Sequence, residues 1–350
     1  MKTAVVILNW NGRGMLERFL PSVTAHSAVA DVVVADNGST DDSVAFMQAR
    51  YPQVKLIQLD KNYGFAEGYN RAMKALETRP QGANGSTTEA DYDYYVLLNS
   101  DVECTPMWLE PVVEMMEADP QIAIAQPKLL MYDQKDTFEY AGGAGGFIDS
   151  YGYPFCRGRL FSTLEKDHGQ YDDARDIFWA TGACMFVRAG VWKELGGLDG
   201  DFFAHMEEID FCWRVHLAGY RVCYCPLSKV YHVGGGTLPK SSPFKTELNF
   251  RNNLSMLYKN LPEGRRGRVL AMRMWLDRVA AVKFLLEGHV GEYRAVRKAH
   301  RQYRAWKPQL QEKRKKNGTH PITGVYLGWL LPEYYLLGRR KFTSLKGGFA

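Results

Sequence analysis

The sequence lacks an apolar run long enough to cross a bilayer, which would need about 20 consecutive apolar residues. Its six cysteines form no CxxC pair, which favours buried, reduced thiols over a disulfide or a zinc site. The apolar run Ala4–Leu8 is too short for a signal-peptide core, and no small-residue cleavage site follows it. No internal repeat is visible. We therefore expect a globular protein of one or two domains that stays in the cytoplasm.

Charge is unevenly distributed along the chain. Residues 245–350 contain 23 Lys and Arg against 7 Asp and Glu, whereas residues 1–244 contain 21 against 32. This difference predicts an acidic domain, 1–244, followed by a basic and mostly helical domain, 245–350. A strongly basic region meets an anionic partner, which here would be a membrane surface, a nucleic acid or an acidic protein.

Short apolar strands alternate with helical patterns in the first 130 residues. The predicted strands are Val5–Leu8, Val32–Ala35, Lys55–Leu59 and Tyr95–Leu98, and the predicted helices are Met15–Ser27, Asp41–Ala49, Phe65–Glu77 and Met107–Glu117. Further along, strands at Ala183–Val187 and Arg221–Cys225 enclose a helix at Glu207–Ala218. This alternation predicts an α/β fold in which a mostly parallel central sheet has helices on both faces.

Two segments show little periodicity. Arg79–Asp93 is polar and rich in Gly, Ser and Thr, which predicts a surface loop. Ala141–Asp176 is rich in Gly, Tyr and Arg. We interpret it as a loop that becomes ordered on ligand binding, with irregular structure over the mouth of the sheet as the alternative.

Polar residues follow four of the predicted strands, at Asn9–Gly12, Asp36–Ser39, Asp60–Phe65 and Asn99–Asp101. Each of these endings alone is typical of a turn, but in open α/β sheets ligands bind at the carboxyl ends of strands. Four together therefore predict one polar cleft. Asp101 would repel a nucleotide diphosphate unless it holds Mg²⁺ or Mn²⁺, which take oxygen ligands. The alternative role for Asp101 is to cap the turn.

Four segments resemble glycosyltransferase family 2: VVADNGSTDDS (Val33–Ser43), NYGFAEGYNRA (Asn62–Ala72), LLNSDV (Leu97–Val102) and the run from TGACMF to GYRV (Thr181–Val222). They occur in the family's order within residues 3–240, and the resemblance is strongest to bacterial rhamnosyltransferase-like members. It implies an A-type glycosyltransferase fold and an inverting enzyme of cell-surface polysaccharide synthesis. Such an enzyme moves a sugar from a nucleotide diphosphate sugar, here dTDP-rhamnose, to a hydroxyl of a glycan or lipid-linked acceptor.

The resemblance also implies roles for individual residues. Asp36 would contact the nucleoside, and Asp101 would bind the metal together with His232, for which a structural role is the alternative. Asn99 stands where the family often has an Asp. The residues expected to bind the nucleotide sugar are Asn9, Asn11, Asp36, Asn62, Gly64, Asn70, Arg71, Asn99 and Ser100.

Inverting transfer needs one carboxylate to accept the proton of the acceptor hydroxyl. The segment Met206–Asp210 resembles the family's Glu-Asp motif, and Glu208 falls where the family has its catalytic Asp. Glu208 is therefore the expected base, and Glu207 is the alternative. Two adjacent carboxylates raise the pKa of one of them, which suits a base that works near neutral pH. Acidic residues are also common in the first turn of a helix for purely structural reasons. Trp179, Trp213 and Arg214 are expected either to contact the acceptor or to pack.

The apolar and aromatic segment Val325–Leu337 is followed by Arg339-Arg340-Lys341, a combination typical of helices that lie on anionic lipid. We therefore expect a peripheral protein on the inner face of the cytoplasmic membrane; an ordinary helical domain with a solvated basic face is the alternative.

Two other function classes stay open on the sequence alone. A nucleotidyltransferase would need a glycine- and lysine-rich phosphate loop, of which the segment 9–14 supplies only part. A basic nucleic-acid-binding protein is disfavoured by the acidic first domain.

Overall fold

The structure is a computed structural model that describes residues 1–77, 92–234 and 242–350. The predicted surface loop Arg79–Asp93 lies outside these ranges except for its last two residues. The strands are β1 (Thr3–Asn9), β2 (Asp31–Asp36), β3 (Lys55–Gln58), β4 (Tyr94–Asn99), β5 (Val102–Cys104), β6 (Ile122–Met131), β7 (Gly146–Asp149), β8 (Pro154–Cys156), β9 (Arg159–Leu160), β10 (Thr163–Leu164), β11 (Arg175–Asp176), β12 (Cys184–Arg188), β13 (Arg221–His232) and β14 (Val325–Tyr326). The helices are α1 (Arg13–His26), α2 (Ser43–Arg50), α3 (Gly64–Glu77), α4 (Glu110–Ala118), α5 (Ala189–Leu195), α6 (Glu207–Leu217), α7 (Pro243–Asn260), α8 (Glu263–Leu286), α9 (Val290–Arg314) and α10 (Leu330–Tyr335).

Within the described ranges, nine strands form a central sheet in the order β11-β13-β6-β12-β4-β1-β2-β3, with β5 paired to β13. The β1–β2, β1–β4, β2–β3 and β6–β13 pairs are parallel. In contrast, β12 is antiparallel to both of its neighbours, β4 and β6. The predicted α/β class is therefore confirmed, and the sheet is mixed because an antiparallel strand lies near its centre.

Apolar cores cover both faces of this sheet. Leu16 of α1, Met47 of α2 and Met116 of α4 pack on one face, while Tyr69 of α3 and Trp192 of α5 pack on the other. All six cysteines lie within the described ranges and are buried and free, as expected. Helices on both faces of a mixed sheet leave the ends of the strands as the open surface where a ligand can bind.

The helix predicted at Met107–Glu117 begins later than expected, at Glu110. Met107 has a φ of +56°, a left-handed conformation that cannot continue into a right-handed helix. Residues 105–109 therefore belong to the turn before α4.

The segment Ala141–Asp176 contains short strands that neither interpretation predicted. Four of them, β7 to β10, belong to a second, smaller sheet with the strand order β10-β9-β8-β7-β14, whose last strand comes from the C-terminal region. Phe147, Phe155 and Tyr326 fill its interior, and their rings lie about 6 Å apart or closer. Strands of two to four residues interrupted by glycines give no periodic pattern, which is why the sequence did not reveal them.

Helices α7, α8 and α9 pack on one another and confirm the predicted helical C-terminal region. Leu254, Val269 and Tyr303 from these helices belong to the same core as Tyr69 and Trp192. The division after residue 244 stays a prediction, and the contacts across it are those of a continuous core.

The segment Val325–Leu337 is split between the interior and the surface. Tyr326 and Tyr334 are buried in the smaller sheet region, whereas Leu336 is 81% exposed. No helix within 1–77, 92–234 or 242–350 is long and apolar enough to span a membrane.

Candidate active site

The carboxyl ends of β1, β2 and β4 bring polar side chains to one edge of the sheet. Asn9 lies opposite Asp36 in the parallel register, and Leu8 lies opposite Asn99. The Asn9 amide donates to Asp36 Oδ1 at 3.1 Å, and the backbone N–H of Ser39 donates to Asp36 Oδ2 at 2.9 Å. These two hydrogen bonds fix the buried Asp36 carboxylate in place, so that it can accept a further hydrogen bond from a ligand.

Glycine at position 12 is needed for this arrangement. A Cβ atom there would lie 2.4 Å from Asn9 Oδ1 and 3.7 Å from Ser100 Oγ, so any larger residue would displace the Asn9 side chain. Asn9, Asp36, Asn99, Ser100 and Asp101 are hereafter called the strand-end wall.

Other predicted nucleotide-binding residues form hydrogen bonds with the backbone of this chain. Asn11 Oδ1 accepts from the backbone N–H of Thr40 at 2.7 Å, and Asn62 Oδ1 accepts from that of Gly64 at 2.8 Å, at the start of α3. Asn70 makes two hydrogen bonds with the backbone of Leu198, at 2.8 and 3.0 Å. These groups organise the turns and helix ends behind the strand-end wall.

Two further members of the predicted set also make internal contacts. Arg71 pairs with Glu67 at 2.8 Å and lies over the Tyr63 ring at 3.8 Å. Gly64 adopts φ +77°, and a Cβ there would lie 2.6 Å from the carbonyl oxygen of Phe203. The structure thus gives Gly64 a packing role, because only glycine permits this close approach.

Asp101, His232 and Glu139 form a buried line of charged groups. His232 Nε2 lies 3.1 Å from Asp101 Oδ1, and His232 Nδ1 lies 3.3 Å from Glu139 Oε1. Asn99 Nδ2 lies 3.3 Å from His232 Nε2. The pairing of β5 with β13 places the segment after Asp101 directly beside His232. Sequence reasoning missed Glu139, since nothing in the segment around it signals a ligand.

The charges in this line shift each other's pKa. Burial alone would lower the pKa of His232, but the Glu139 and Asp101 carboxylates raise it to about 10. Burial alone would raise the pKa of Asp101, but the hydrogen bond and charge of His232 hold it below its usual range. The imidazole is therefore protonated at neutral pH, and a metal ion that binds Nε2 would have to displace that proton.

Two side chains of this line could hold a divalent cation together with a diphosphate. Within the described ranges, no cluster of three or more His, Cys, Asp or Glu side chains has metal-binding geometry. Mg²⁺ and Mn²⁺ with nucleotides commonly take one or two protein ligands and fill the rest with phosphate and water oxygens. Asp101 and His232 could supply two such ligands, and Glu139 would orient the imidazole through Nδ1, as carboxylates do for metal-binding histidines.

Glu207 and Glu208 begin α6 and differ in accessibility. Glu207 is buried, whereas Glu208 is partly exposed. Burial raises the pKa of Glu208 to about 6, and burial together with the Glu208 charge raises the pKa of Glu207 well above its usual range. Neither Oε2 atom has a hydrogen-bond partner in the part of the chain that the structure describes. Glu208 is therefore the more accessible residue of the two, although its Oε2 atom, like that of Glu207, is buried.

Glu208 lies close to the strand-end wall. A Cβ placed on Gly182 would lie 3.8 Å from Glu208 Cβ, and the next residue, Ala183, accepts a hydrogen bond from the backbone N–H of Asn99 at 3.0 Å. Phe65, at the start of α3, also borders Gly182. The start of α6 and the end of β4 thus both lie beside residues 182 and 183.

The loop before Glu207 has an unusual backbone. Phe203, His205 and Met206 have φ values of +64°, +70° and +74°, which non-glycine residues rarely adopt. The Phe203 carbonyl accepts from the backbone N–H of Phe65 at 2.6 Å, at the start of α3. Residues 203–208 are hereafter called the loop wall.

A side chain of α7 holds the loop wall in place. The Asn252 amide donates to the carbonyls of Phe202, Ala204 and His205 at 2.8 to 2.9 Å. Arg251 donates to the Asn252 carbonyl oxygen at 2.9 Å, which fixes the orientation of the amide. Asn252 is fully buried, so these bonds are shielded from water. The sequence marked this segment only as a helix.

A buried cluster of charged groups joins α6 to α7. Asp210 accepts hydrogen bonds from Lys259 at 2.8 Å, Asn260 at 2.7 Å and Arg214 at 3.0 Å. Lys259 also pairs with Asp199 at 2.6 Å. Every charge at this junction is therefore paired, as buried charges must be.

Trp179, Trp213 and Arg214, which were expected either to contact the acceptor or to pack, are packed within the fold. Trp179 and Trp213 are buried, and the Trp179 indole donates to the Phe147 carbonyl at 2.9 Å. Arg214 donates to the carbonyls of Leu195 and Gly197 at 2.8 and 2.6 Å. The Trp179 indole and the Arg214 guanidinium thus have partners within the chain, whereas the buried Trp213 indole N–H has none among the described residues. Contact of these three residues with an acceptor stays a prediction.

Comparison with known proteins gives a consistent result. Residues 4–141 match the model "Glycosyl transferase family 2", and residues 95–249 match "Glycosyl transferase family group 2". The N-acetylglucosaminyl-diphospho-decaprenol L-rhamnosyltransferase of Mycobacterium tuberculosis is 27% identical over 236 residues, covering 65% of this chain and 75% of that protein. Rhamnosyltransferase WbbL of Escherichia coli is 23% identical over 229 residues, covering 65% and 82%.

A similar fold occurs in the crystal structure of GalNAc-T7 with UDP, GalNAc and Mn²⁺. The TM-score is 0.54 at 16% identity, and the match covers 74% of this chain and 48% of that one. At this level of identity the likeness extends to the fold alone.

Proposed function

The chain belongs to glycosyl transferase family 2 and is a glycosyltransferase, and we propose that it inverts the anomeric centre of a nucleotide diphosphate sugar with Glu208 as base. The family resemblance seen in the sequence motifs is thereby confirmed. The observation that carries the proposal is the position of Glu208 beside Gly182, next to Ala183, whose carbonyl accepts a hydrogen bond from Asn99. Asn99 in turn contacts His232 of the Asp101–His232–Glu139 line.

The strand-end wall would bind the donor. Asp36, fixed by Asn9 and Ser39, would accept a hydrogen bond from the nucleoside. Asp101 and His232 would hold Mg²⁺ or Mn²⁺, which when bound neutralises charge on the diphosphate leaving group. A protein of similar fold was crystallised with UDP and Mn²⁺, which supports a divalent cation beside the nucleotide.

The chemical step would be a single displacement. The oxygen of the acceptor hydroxyl attacks the anomeric carbon, and the bond from that carbon to the diphosphate oxygen breaks. The hydroxyl proton passes to the Glu208 carboxylate, and the nucleoside diphosphate leaves. The raised pKa of Glu208, about 6, suits a base that must be ionised near neutral pH and still accept a proton.

Rhamnose is the proposed sugar, from dTDP-rhamnose, and the proposed acceptor is a glycan or a lipid-linked saccharide at the inner face of the membrane. Two relatives named as rhamnosyltransferases support the sugar, and one of them names a polyprenyl diphosphate acceptor. A role in cell-surface polysaccharide synthesis follows from that acceptor class.

Thermal-shift titration with dTDP-, UDP- and GDP-sugars, each with Mn²⁺, Mg²⁺ or EDTA, tests the donor. We expect the largest shift with dTDP-rhamnose and a divalent cation. In Asp101→Asn, the affinity for the donor with metal should fall about 100-fold, as when a metal ligand is lost. Asp60→Asn is the matched control, because Asp60 also follows a strand but lies exposed with Tyr63. Metal-independent donor binding in the wild type would refute the cation site.

A further inference from the structure

Helix α8 carries an apolar stripe that faces solvent. Trp275, Val279, Val282 and Leu286 recur every three or four residues, which places them on one side of the helix. Their exposed fractions are 55%, 50%, 53% and 83%. The opposite side of α8 is buried through residues such as Val269 and Ala281. Four aligned apolar side chains on a well-packed helix form a patch that isolated surface residues do not.

A basic groove lies beside this stripe, between α8 and α9. It is a cavity of about 420 Å³. Its floor contains Ala281 and Val296, and its charged lining is contributed by four arginines, Arg278, Arg297, Arg301 and Arg304. Val282 lines the groove and also belongs to the stripe, so the apolar and basic surfaces are continuous.

An ion pair joins the two sides of the groove, and the groove's arginines are available to a ligand. His300 of α9 and Asp277 of α8 pair at 3.0 Å beneath it and join its two sides. Within the described ranges, no carboxylate forms an ion pair with Arg278, Arg297, Arg301 or Arg304. Unneutralised guanidinium groups in a concave site are typical of phosphate recognition.

We propose that the α8–α9 surface, meaning the stripe and the groove together, docks on an anionic lipid bilayer and binds a headgroup phosphate in the groove. Apolar side chains that include a tryptophan, flanked by arginines, match the interfacial region of a membrane, where acyl chains meet phosphates. A second copy of this chain would bring its own four arginines against these four, and the like charges would oppose that pairing. Charge complementarity therefore favours the bilayer as the occupant.

This surface differs from the segment Val325–Leu337 that the sequence suggested. Part of that segment is buried in the smaller sheet region, whereas the α8 stripe is exposed along about three turns. The inference extends the proposed lipid-linked acceptor, because docking would bring the enzyme to the surface where such an acceptor lies.

Vesicle co-sedimentation of the full chain tests the proposal without donor or acceptor, so its failure would leave the proposed function untouched. Binding should require phosphatidylglycerol in phosphatidylcholine vesicles and should weaken as salt rises. Replacing Arg297, Arg301 and Arg304 by Ser should lower the partition coefficient about 100-fold, since each basic residue contributes about 1 kcal/mol and 1.4 kcal/mol is a factor of ten.

The matched control removes the same charge elsewhere on the C-terminal region. Lys315→Ser/Lys316→Ser/Lys346→Ser changes three exposed lysines and should lower binding less than about fivefold, because charges beyond a Debye length are screened. Trp275→Ser/Leu286→Ser should lower it about tenfold through lost apolar burial.

Equal losses in the two charge variants would overturn the groove as a specific site. Light scattering supplies the second check: a lipid-free dimer that Trp275→Ser/Leu286→Ser converts to a monomer would make a second copy the occupant and refute the bilayer. Unchanged thermal melting of each variant shows that the fold is intact.

Discussion

The two sides of the cleft are built in different ways. The strand-end wall rests on parallel strands, and each carboxylate oxygen of Asp36 accepts one hydrogen bond from a neighbouring residue. The loop wall contains three non-glycine residues with positive φ, and its two glutamates are held with raised pKa values. Asn252, a residue of α7, holds it from outside. Backbone strain and carboxylate oxygens without hydrogen-bond partners are thus concentrated in the loop wall, where the proposed base lies. The groups proposed to bind the donor lie at the ends of the sheet strands.

Glu208→Gln gives the sharpest contrast between the walls. Turnover should fall about 1,000-fold, because the variant cannot accept the proton, whereas affinity for the nucleoside diphosphate should stay within about twofold. Single-turnover assays and calorimetric titration measure the two effects separately. Glu207→Gln is the matched control and should lose far less, since Glu207 is sealed from the cleft. If the two variants exchange these results, the base is Glu207.

Asn252→Ala tests whether the loop wall depends on α7. The three carbonyls lose their common donor, so the loop should relax and turnover should fall about 30-fold with little change in donor affinity. Asn253→Ala is the matched control, because Asn253 is also buried but donates to Gly152 instead. If both variants lose the same amount of turnover for a given loss of thermal stability, Asn252 only packs and does not position the loop wall.

The pH profile tests the same wall without a mutation. Because burial raises the pKa of Glu208 to about 6, the base is ionised above that pH and protonated below it. We expect kcat/KM to rise with pH and level off above about 6.5, and to fall about tenfold per pH unit on the acid side. A profile that is flat between about pH 5 and pH 8 would contradict a carboxylate base with a raised pKa.

Asp36→Asn should have the smallest effect and a different signature. One of the two donors to Asp36 would lose its acceptor, and the nucleoside would lose a charged partner, so the Kd for the donor should rise about tenfold while kcat changes little. Asp31→Asn, at the other end of the same strand, should leave the Kd unchanged. If kcat falls by a larger factor than the affinity, the strand-end wall contributes to turnover as well as to binding.

The sequence predicted the strand-end wall because its cues are local. A strand followed directly by Asp36 or by Asn99 gives both the position and the chemistry of the residue. The fold class followed from the same alternation of strands and helices. By contrast, β6 was missed because Pro127 and Lys128 interrupt its apolar pattern; the structure buries Lys128 by pairing it with Asp167 at 2.8 Å.

The residues that the sequence did not reveal act across long separations. Glu139 meets His232, and Asn252 meets the carbonyls before Glu207, through contacts that only the folded chain creates. Trp179 and Trp213, which were expected either to contact the acceptor or to pack, are large aromatic residues that suit a core as well as a sugar site, and the structure buries both. The local pattern of residue types predicts neither contacts between distant segments nor the burial of a single aromatic side chain.

The buried contacts of Asp210 limit how this protein can diverge by exchange of segments with its relatives. A C-terminal region taken from another member would need a lysine and an amide at the positions of Lys259 and Asn260. Without them it would leave a carboxylate unpaired in the interior, at a cost of about 3–5 kcal/mol. We therefore expect the helices that support the cleft to have been inherited together with the residues that form it, and to change only in step with them.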